Sequence, residues 1–416
     1  MSFAQCLARG GPANFERGSM DILVVDDDAL SLRLLIALVE KLGHRPISAN
    51  NGLTAWDLYR AHNCRLVISD WNMPGLDGIE LLTRIRSLPG YSYTYFIMLT
   101  SRSDREDVSA GMAAGADDLL IKPISRDDLE ARLNVAKRIV SLHLELAQRN
   151  HELSAVNDRM RQDLQAAVKV QEALLPVNMP QIEGLDFAWL YRPCDQLGGD
   201  TLNLYRLDEH HLGFYVLDVS GHGVSSALLA VQVSRFLSPL IAAGSLPKRA
   251  IADRPGYRLA SPLEVIEELN HLFPMSDTAM QYFTIIYGHY HIPSHSVNLA
   301  VAGHPGPIVT HRDGRVTIHE LSSNPIGFFP RDTAQFAEAR LVLEPGDRIH
   351  FFSDGVVETM SPSQEIIGNE RLAAIMASVA REPAVSAQEK VVKALAEWRN
   401  QEPPTDDVSI VTIERK

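Results

Sequence analysis

The sequence predicts a multidomain chain: a doubly wound α/β domain, then a long helix in a coiled-coil register, then an α+β domain. Three observations carry this. Short β-branched runs alternate with helical patterns as far as about residue 137, and that alternation implies a parallel sheet covered on both faces. Between about Arg126 and Leu175 there is no proline and only helix-compatible sequence. After Pro176 the pattern turns to strands with period-two alternation, interrupted by helical blocks.

Composition sets the frame. A chain of 416 residues, 45% hydrophobic and 22% charged, has material for two or three buried cores. Its net charge of -13 argues against a nucleic-acid partner, because phosphate backbones repel such a chain unless a basic patch is segregated. No stretch approaches the roughly 20 apolar residues of a membrane span. Residues 1–19 (MSFAQCLARGGPANFERGS) lack the apolar core of a signal peptide and read as a disordered extension, with Met20 an alternative start. A cytoplasmic chain is expected. Cys6, Cys64 and Cys194 lie far apart with no CxxC pair, which suits a reducing compartment and offers no zinc site.

In the first domain ILVV (22–25), RLVIS (65–69) and YFIMLT (95–100) read as strands, and LSLRLLIALVEKLG (30–43) as an amphipathic helix. Ligands of parallel sheets sit at the carboxyl ends of the strands. Asp26, Asp27, Asp70, Thr100 and Lys122 all fall at those ends. Three acids make a hard, oxygen-rich cluster suited to Mg²⁺. A cation there would neutralise a phosphoryl group arriving on Asp70, with Lys122 and the Thr100 hydroxyl meeting its oxygens. Asp28, by contrast, reads as a helix cap.

VVDDD, VISDWNMPGLDG, MLTS and LIKP together resemble the receiver domain of two-component response regulators, with a flavodoxin-like fold over residues 20–137. The resemblance implies that a histidine kinase phosphorylates Asp70. It also implies that Asp26, Asp27, Asp70 and the carbonyl of Asn72 bind Mg²⁺, that Thr100 and Lys122 sense the phosphoryl group, and that the Lys122–Pro123 peptide is cis. One departure is Leu119, where receivers commonly carry an aromatic switch residue.

In the helical segment, residues 138–175, Ile139, Leu146, Leu153, Met160, Ala167 and Leu174 recur every seven residues, with Leu142, Val156 and Val170 between them. That is a coiled-coil seam, interrupted at Arg149 and Asp163, and it predicts a parallel homodimer. The alternative is a helix packed along its own domain.

The third domain, residues 176–416, sets acids beside glycines or at strand ends: Asp200 in LGGD, Asp218 in DVSGHG, Asp354 in FFSDGVVE, and Asp406 with Asp407 in PTDDVSIV. Carboxylates with backbone carbonyls suit Mg²⁺ or Mn²⁺ rather than zinc. Two such ions, about 3.5 to 4 Å apart, share a water and lower its pKa toward neutrality for in-line attack on phosphorus. The Pro- and charge-rich piece 242–262 reads as a surface loop.

GGD, DVSGHG, AGHPGP, SDGVVE and TDDVSIV, in this order over about residues 171–414, resemble the metal-dependent PPM protein phosphatases, a β-sandwich flanked by helices. The resemblance is specifically to the bacterial branch that includes the stage II sporulation phosphatase and stress-response phosphatases. The resemblance implies that Asp218 bridges two metal ions, that Asp200 and the Val219 carbonyl serve one, and that Asp354 and Asp406 serve the other. His222 and His304 are given structural roles. Thr201, Leu202 and Asn203 depart from the residues that usually follow GGD. The resemblances together imply dephosphorylation of phosphoserine or phosphothreonine on a protein, a STAS-type anti-sigma factor antagonist, under control of Asp70. A receiver-controlled adaptor with a non-catalytic phosphatase fold is the alternative.

Overall fold

The computed structural model describes residues 19–62, 64–88, 93–101, 111–176, 179–240, 244–253, 255–275 and 281–416. Residues 1–18, most of the expected extension, lie outside them. The chain forms two compact units that divide between Asn157 and Asp158.

The first unit alternates strand and helix: β1 (Asp21–Val25), α1 (Ala29–Lys41), β2 (Arg45–Ala49), α2 (Gly52–His62), β3 (Leu66–Asp70), α3 (Gly78–Arg86), β4 (Tyr95–Thr100) and β5 (Asp118–Ile121). The strands form one parallel sheet in the order β2-β1-β3-β4-β5. Both faces are covered, so β4 is apolar along nearly its whole length and buried at every residue. Asp28 caps α1, accepting the amides of Leu30 and Ser31. The capping was expected, and it leaves Asp26 and Asp27 to face the strand ends. The Lys122–Pro123 peptide is cis.

A single helix, α4 (Arg126–Glu172), follows, and its 47 residues span about 70 Å at 1.5 Å per residue. Its start packs into the first core through Leu129, Leu133, Ala136 and Val140, at spacings that keep one helix face inward. Ile139, the first seam position, also packs against that core. The last one, Leu174, lies past the helix end. Between them Leu142, Leu146, Leu153, Val156, Met160 and Val170 are 56 to 67% exposed, an apolar stripe open along the helix.

The second unit contains β6 (Leu185–Arg192), β7 (Thr201–Arg206), β8 (His211–Val219), α5 (Val224–Phe236), β9 (Lys248–Ala250), β10 (Tyr257–Leu259) and α6 (Pro262–Leu272). They are followed by β11 (Phe283–His291), β12 (Ser296–Ala302), β13 (Ile308–Thr310), β14 (Val316–Ile318), β15 (Ala337–Val342) and β16 (Arg348–Phe352). The unit ends with the one-turn α7 (Asp354–Val357), α8 (Gly368–Ser378), α9 (Ala384–Trp398) and β17 (Val408–Arg415). Two antiparallel sheets result, β15-β12-β11-β8-β7 and β14-β13-β16-β17-β6. Their inner faces meet in one core containing Phe214, Val216, Ile286, Ile349, Phe351 and Val411. α5 and α6 cover the outer face of the first sheet, and α8 and α9 cover that of the second. The domain is a sandwich of two sheets between two helical layers.

Two sequence expectations change here. The presumed surface loop 242–262 holds the antiparallel ribbon β9–β10, with Lys248 over the Tyr257 ring at 4.6 Å, and ends in a Ser261–Glu264 capping box that starts α6. Its alternation is only three residues long in each strand, too short to stand out beside the prolines. α9 was not anticipated, yet it buries Val391, Val392 and Leu395 on the second sheet. No helix is long and apolar enough to cross a membrane among the described residues.

Candidate functional sites

In the first unit, β1 and β3 deliver Asp26, Asp27 and Asp70 to one end of the sheet, where one oxygen of each lies within 4.8 Å of the others. Asp26 is fully buried. Lys122 Nζ is 2.8 Å from both Asp26 Oδ2 and Asp70 Oδ1. Burial raises the proton affinity of Asp70, and the Lys122 ammonium opposes that shift. For Lys122 burial favours the neutral amine, but the bonds to Asp26 and Asp70 outweigh it and its pKa rises. Thr100 ends β4 and is buried. Asn72 follows Asp70 by two residues in the exposed turn before Asp77, which caps α3. Leu119 packs beside Trp71 in the core on that face of the sheet. The three clustered carboxylates fit a hard divalent cation.

In the second unit the acids converge from four segments. Asp218 lies in β8, Asp200 precedes β7, Asp354 opens α7, and Asp406 and Asp407 precede β17. Gly223, at φ 90°, adopts a backbone conformation that disfavours side chains and starts α5 directly after the Asp218 loop. Asp200 is buried, and its Oδ2 accepts the Ser409 hydroxyl at 2.6 Å.

Asp407 is buried as well, with both oxygens engaged: Oδ1 accepts the amide of Cys194 at 2.8 Å and Oδ2 that of Asp200 at 3.2 Å. Asp406 is exposed. The pair therefore divides into a buried structural acceptor and an open carboxylate.

Charge accumulates at this point. Burial first, then the negative charges of Asp200, Asp354 and Asp406, hold the Asp218 proton far above the ordinary carboxylate range. Asp200 is raised by burial and by Asp407, Asp354 by burial and by Glu358, and Asp406, although exposed as a residue, by partial desolvation of its carboxyl and then by Asp354 and Asp407. Among the described residues, no lysine or arginine pairs with any of these four. A set of hard oxygen donors whose charge no protein cation offsets fits one or more divalent cations.

His304 is buried behind the site. Its Nδ1 is 2.7 Å from Thr284 Oγ1, and Thr284 pairs with Asp218 across β8 and β11. Burial pushes its pKa down to about 3, so the ring is neutral. His222 is exposed on the loop after β8, 3.9 Å from Asp195. Sequence reasoning passed over Ser353 and Ser409. Ser353 Oγ donates to the Asp407 carbonyl and accepts the Ser409 amide. Their signal is a small polar residue beside each acid motif, in FFSDG and DDVSIV, inside otherwise apolar strands.

Residues 208–416 match the family model described as Stage II sporulation protein E (SpoIIE), half of the chain. The chain belongs to this SpoIIE family. Residues 22–134 match the response regulator receiver domain. This SpoIIE-family chain is 27% identical over 212 residues to phosphoserine phosphatase RsbU of Bacillus subtilis, covering 51% of this chain and 58% of RsbU. It is 32% identical over 116 residues to a chemotaxis protein CheY homolog of Campylobacter jejuni, covering 27% of this chain and 89% of that protein. The solved SiaA-PP2C domain of Pseudomonas aeruginosa superposes with a TM-score of 0.52 at 20% identity, over 63% of this chain and 100% of that one. That likeness shows the PPM-type fold. The chain spans less than two thirds of RsbU's length.

Proposed function

We propose that this chain is a response regulator whose output is metal-dependent dephosphorylation of phosphoserine or phosphothreonine on a protein. The observation that carries the reading is the convergence of Asp200, Asp218, Asp354 and Asp406, four carboxylates with raised proton affinity that no lysine or arginine pairs with among the described residues. The proposed domains are a receiver over 20–137, a linker helix over 138–175 and a phosphatase over 176–416.

In the phosphatase, Asp218, Asp200 and the Val219 carbonyl would hold one Mn²⁺ or Mg²⁺, and Asp218, Asp354 and Asp406 a second. When bound, such ions acidify a water and offset charge on a phosphoryl group. The chain's own residues set the arrangement. Ser409 fixes the Asp200 carboxylate, Asp407 fixes the turn that carries Asp200, and the strand pair β8–β11 fixes Asp218. No protein nucleophile is required. In the receiver, Asp70 is the phosphoacceptor, Asp26, Asp27, Asp70 and the Asn72 carbonyl hold Mg²⁺, and Lys122 and Thr100 meet the phosphoryl oxygens.

The phosphodonor is a histidine kinase. The similarity to a phosphoserine phosphatase supports phosphoserine as the group removed, and the resemblance carried by the sequence motifs points to a phosphorylated STAS-type anti-sigma factor antagonist as the protein that bears it. Phosphate release from a phosphoserine form of such a protein, measured with Mn²⁺ and with EDTA, tests the reading. Release that depends on Mn²⁺ supports it. A chain that binds the antagonist and releases nothing is an adaptor.

A further inference from the structure

The last turn of α4 reaches the acid site through one buried side chain. Gln171 is 4% exposed although it sits near the end of a helix that is mostly open to solvent. Its Nε2 donates to the carbonyl of Gly198 at 2.7 Å. Gly198 belongs to the turn 197–200, which touches the loop after Asp218 and the Asp406–Asp407 segment. The Leu197 carbonyl accepts the Gly223 amide at 3.2 Å. A Cβ on Gly199 would lie 2.5 Å from the Val219 carbonyl oxygen and 3.1 Å from that of Gly221. A Cβ on Gly198 would lie 2.2 Å from Asp407 Oδ2. The Asp200 amide donates to that same Oδ2.

The peptide between Gly198 and Gly199 is therefore gripped from two sides. Gln171 holds its carbonyl, and the backbone carbonyls of the Asp218 loop lie so close to the following residue that only a glycine fits there. A peptide is planar, so turning the Gly198 carbonyl turns the Gly199 amide with it. Such a rotation carries the turn with it and alters the tie between the Asp200 amide and Asp407. Neither Gly198 nor Gly199 has a side chain to resist the motion, and two adjacent glycines leave this peptide free to rotate. The constraint has to come from outside it, and a buried amide is costly to leave unmatched. A second bond ties the same chain end: Asn203 Nδ2 donates to the Leu174 carbonyl at 3.1 Å, so the segment after the helix is anchored to β7.

We propose that Gln171 is a positioning residue for the cation site: its amide sets the conformation of the 197–200 turn, so the end of α4 helps decide whether Asp200 and the Val219 carbonyl stand ready for a divalent cation. The proposal rests on the phosphatase reading and gives it a physical route from helix to carboxylates. Displacement of the last turn of α4 withdraws the donor, frees the turn and weakens cation binding without touching a ligand.

The test is Gln171→Met in the full chain, which keeps the side chain's length and removes its donor. Hydrogen exchange followed by mass spectrometry, with and without Mn²⁺, is read at residues 197–201, and phosphate release from a phosphoserine protein is titrated with Mn²⁺. Exchange at 197–201 should quicken about tenfold without Mn²⁺, and half-saturating Mn²⁺ should rise about tenfold, while kcat at saturating Mn²⁺ stays within about twofold. Gln171→Asn, which keeps the amide on a shorter stem, should fall between. Exchange and half-saturation within twofold of the unmodified chain would overturn the proposal. Should Gln171→Met not fold, the unmodified chain still decides. Mn²⁺ should protect amides at 169–173 together with those at 197–201, and protection of the turn alone overturns it. An unmodified chain that neither gains protection from Mn²⁺ nor releases phosphate overturns the phosphatase reading and this proposal with it.

Discussion

Asp407 accepts the backbone amide of Asp200 across 207 positions of sequence, at 3.2 Å. Its other oxygen takes the Cys194 amide, whereas its neighbour Asp406 is exposed. The two acids should therefore fail differently. Asp407→Asn replaces an acceptor by a donor facing an amide inside the protein, at about 1–3 kcal/mol of stability, and the melting temperature of the second unit should fall by several degrees. Asp406→Asn should change stability by less than about 0.5 kcal/mol, as surface substitutions do, yet remove most Mn²⁺-dependent phosphate release. Calorimetry and phosphate release on both variants check this. Equal loss of stability in both would remove the division of roles.

The acid cluster also fixes a pH dependence. Asp218 holds its proton above the ordinary carboxylate range in the folded, metal-free chain. A raised folded pKa stabilises only at low pH, and that stability drains away as pH rises through the folded value. From pH 7.5 to 8.5 unfolded aspartate is fully ionised, and histidines whose pKa burial lowers, such as His304, are largely neutral both folded and unfolded, so their opposite contribution is already complete. With EDTA, stability should thus fall with pH, at up to about 1.4 kcal/mol per unit for each retained proton. Mn²⁺ replaces the proton and should flatten the slope. Asp218→Asn should flatten it without metal, remain folded and lose nearly all activity. A metal-free chain whose melting temperature is constant over this range would show that the carboxylates are already ionised.

How much of this was legible beforehand depended on whether the signal was local. The alternation of strand with helix gave the parallel sheet and period-two runs gave an α+β domain, whose sandwich came from the resemblance its motifs carry; acids at strand ends or near glycines gave Asp70, Asp218 and Asp354 as candidates. The Asp200–Ser409 bond joins residues 209 apart, and nothing in either local pattern points to the other. α9 was lost for a related reason: its Val391, Val392 and Leu395 meet the sheet only in three dimensions. Ile139 looked like a seam residue because heptad spacing and a helix face against its own domain share the same period.

The receiver site makes its own prediction. Lys122 bridges Asp26 and Asp70, and of these two Asp26 is fully buried whereas Asp70, at the end of β3, is partly open to an incoming phosphodonor. Asp70→Asn should abolish labelling by acetyl phosphate and leave basal phosphate release by the second unit measurable. Mass spectrometry of the intact chain reads the label. A phosphoryl group that persists on the variant would place the acceptor elsewhere.

The stripe from Leu142 to Val170 is six large apolar residues exposed on one helix. Exposed apolar area of that extent normally finds a partner, and spacings of four and three suit a second copy of the same helix. Leu153→Glu with Met160→Glu should place like charges in such a seam and convert a dimer to monomers in analytical ultracentrifugation. Neither residue touches a core, so circular dichroism should be unchanged. An unchanged dimer would locate the contact outside the helix.

The final prediction concerns coupling between Asp70 and the phosphatase site. α4 begins inside the core of the first unit through Leu129, Leu133, Ala136 and Val140 and ends at Gln171, bonded to Gly198. A helix fixed at both ends carries rotation as well as displacement. One added residue turns everything beyond it by about 100°, whereas removing seven, two turns of a supercoil, preserves the facing seam. Inserting one Ala after Asn157 should therefore leave phosphate release insensitive to beryllofluoride on Asp70, while deletion of residues 150–156 should largely retain the response of the unmodified chain. Both changes fall where side chains are exposed, so neither disturbs a core. Equal responses from the two variants would mean that the receiver acts on the phosphatase without using the helix's rotational phase.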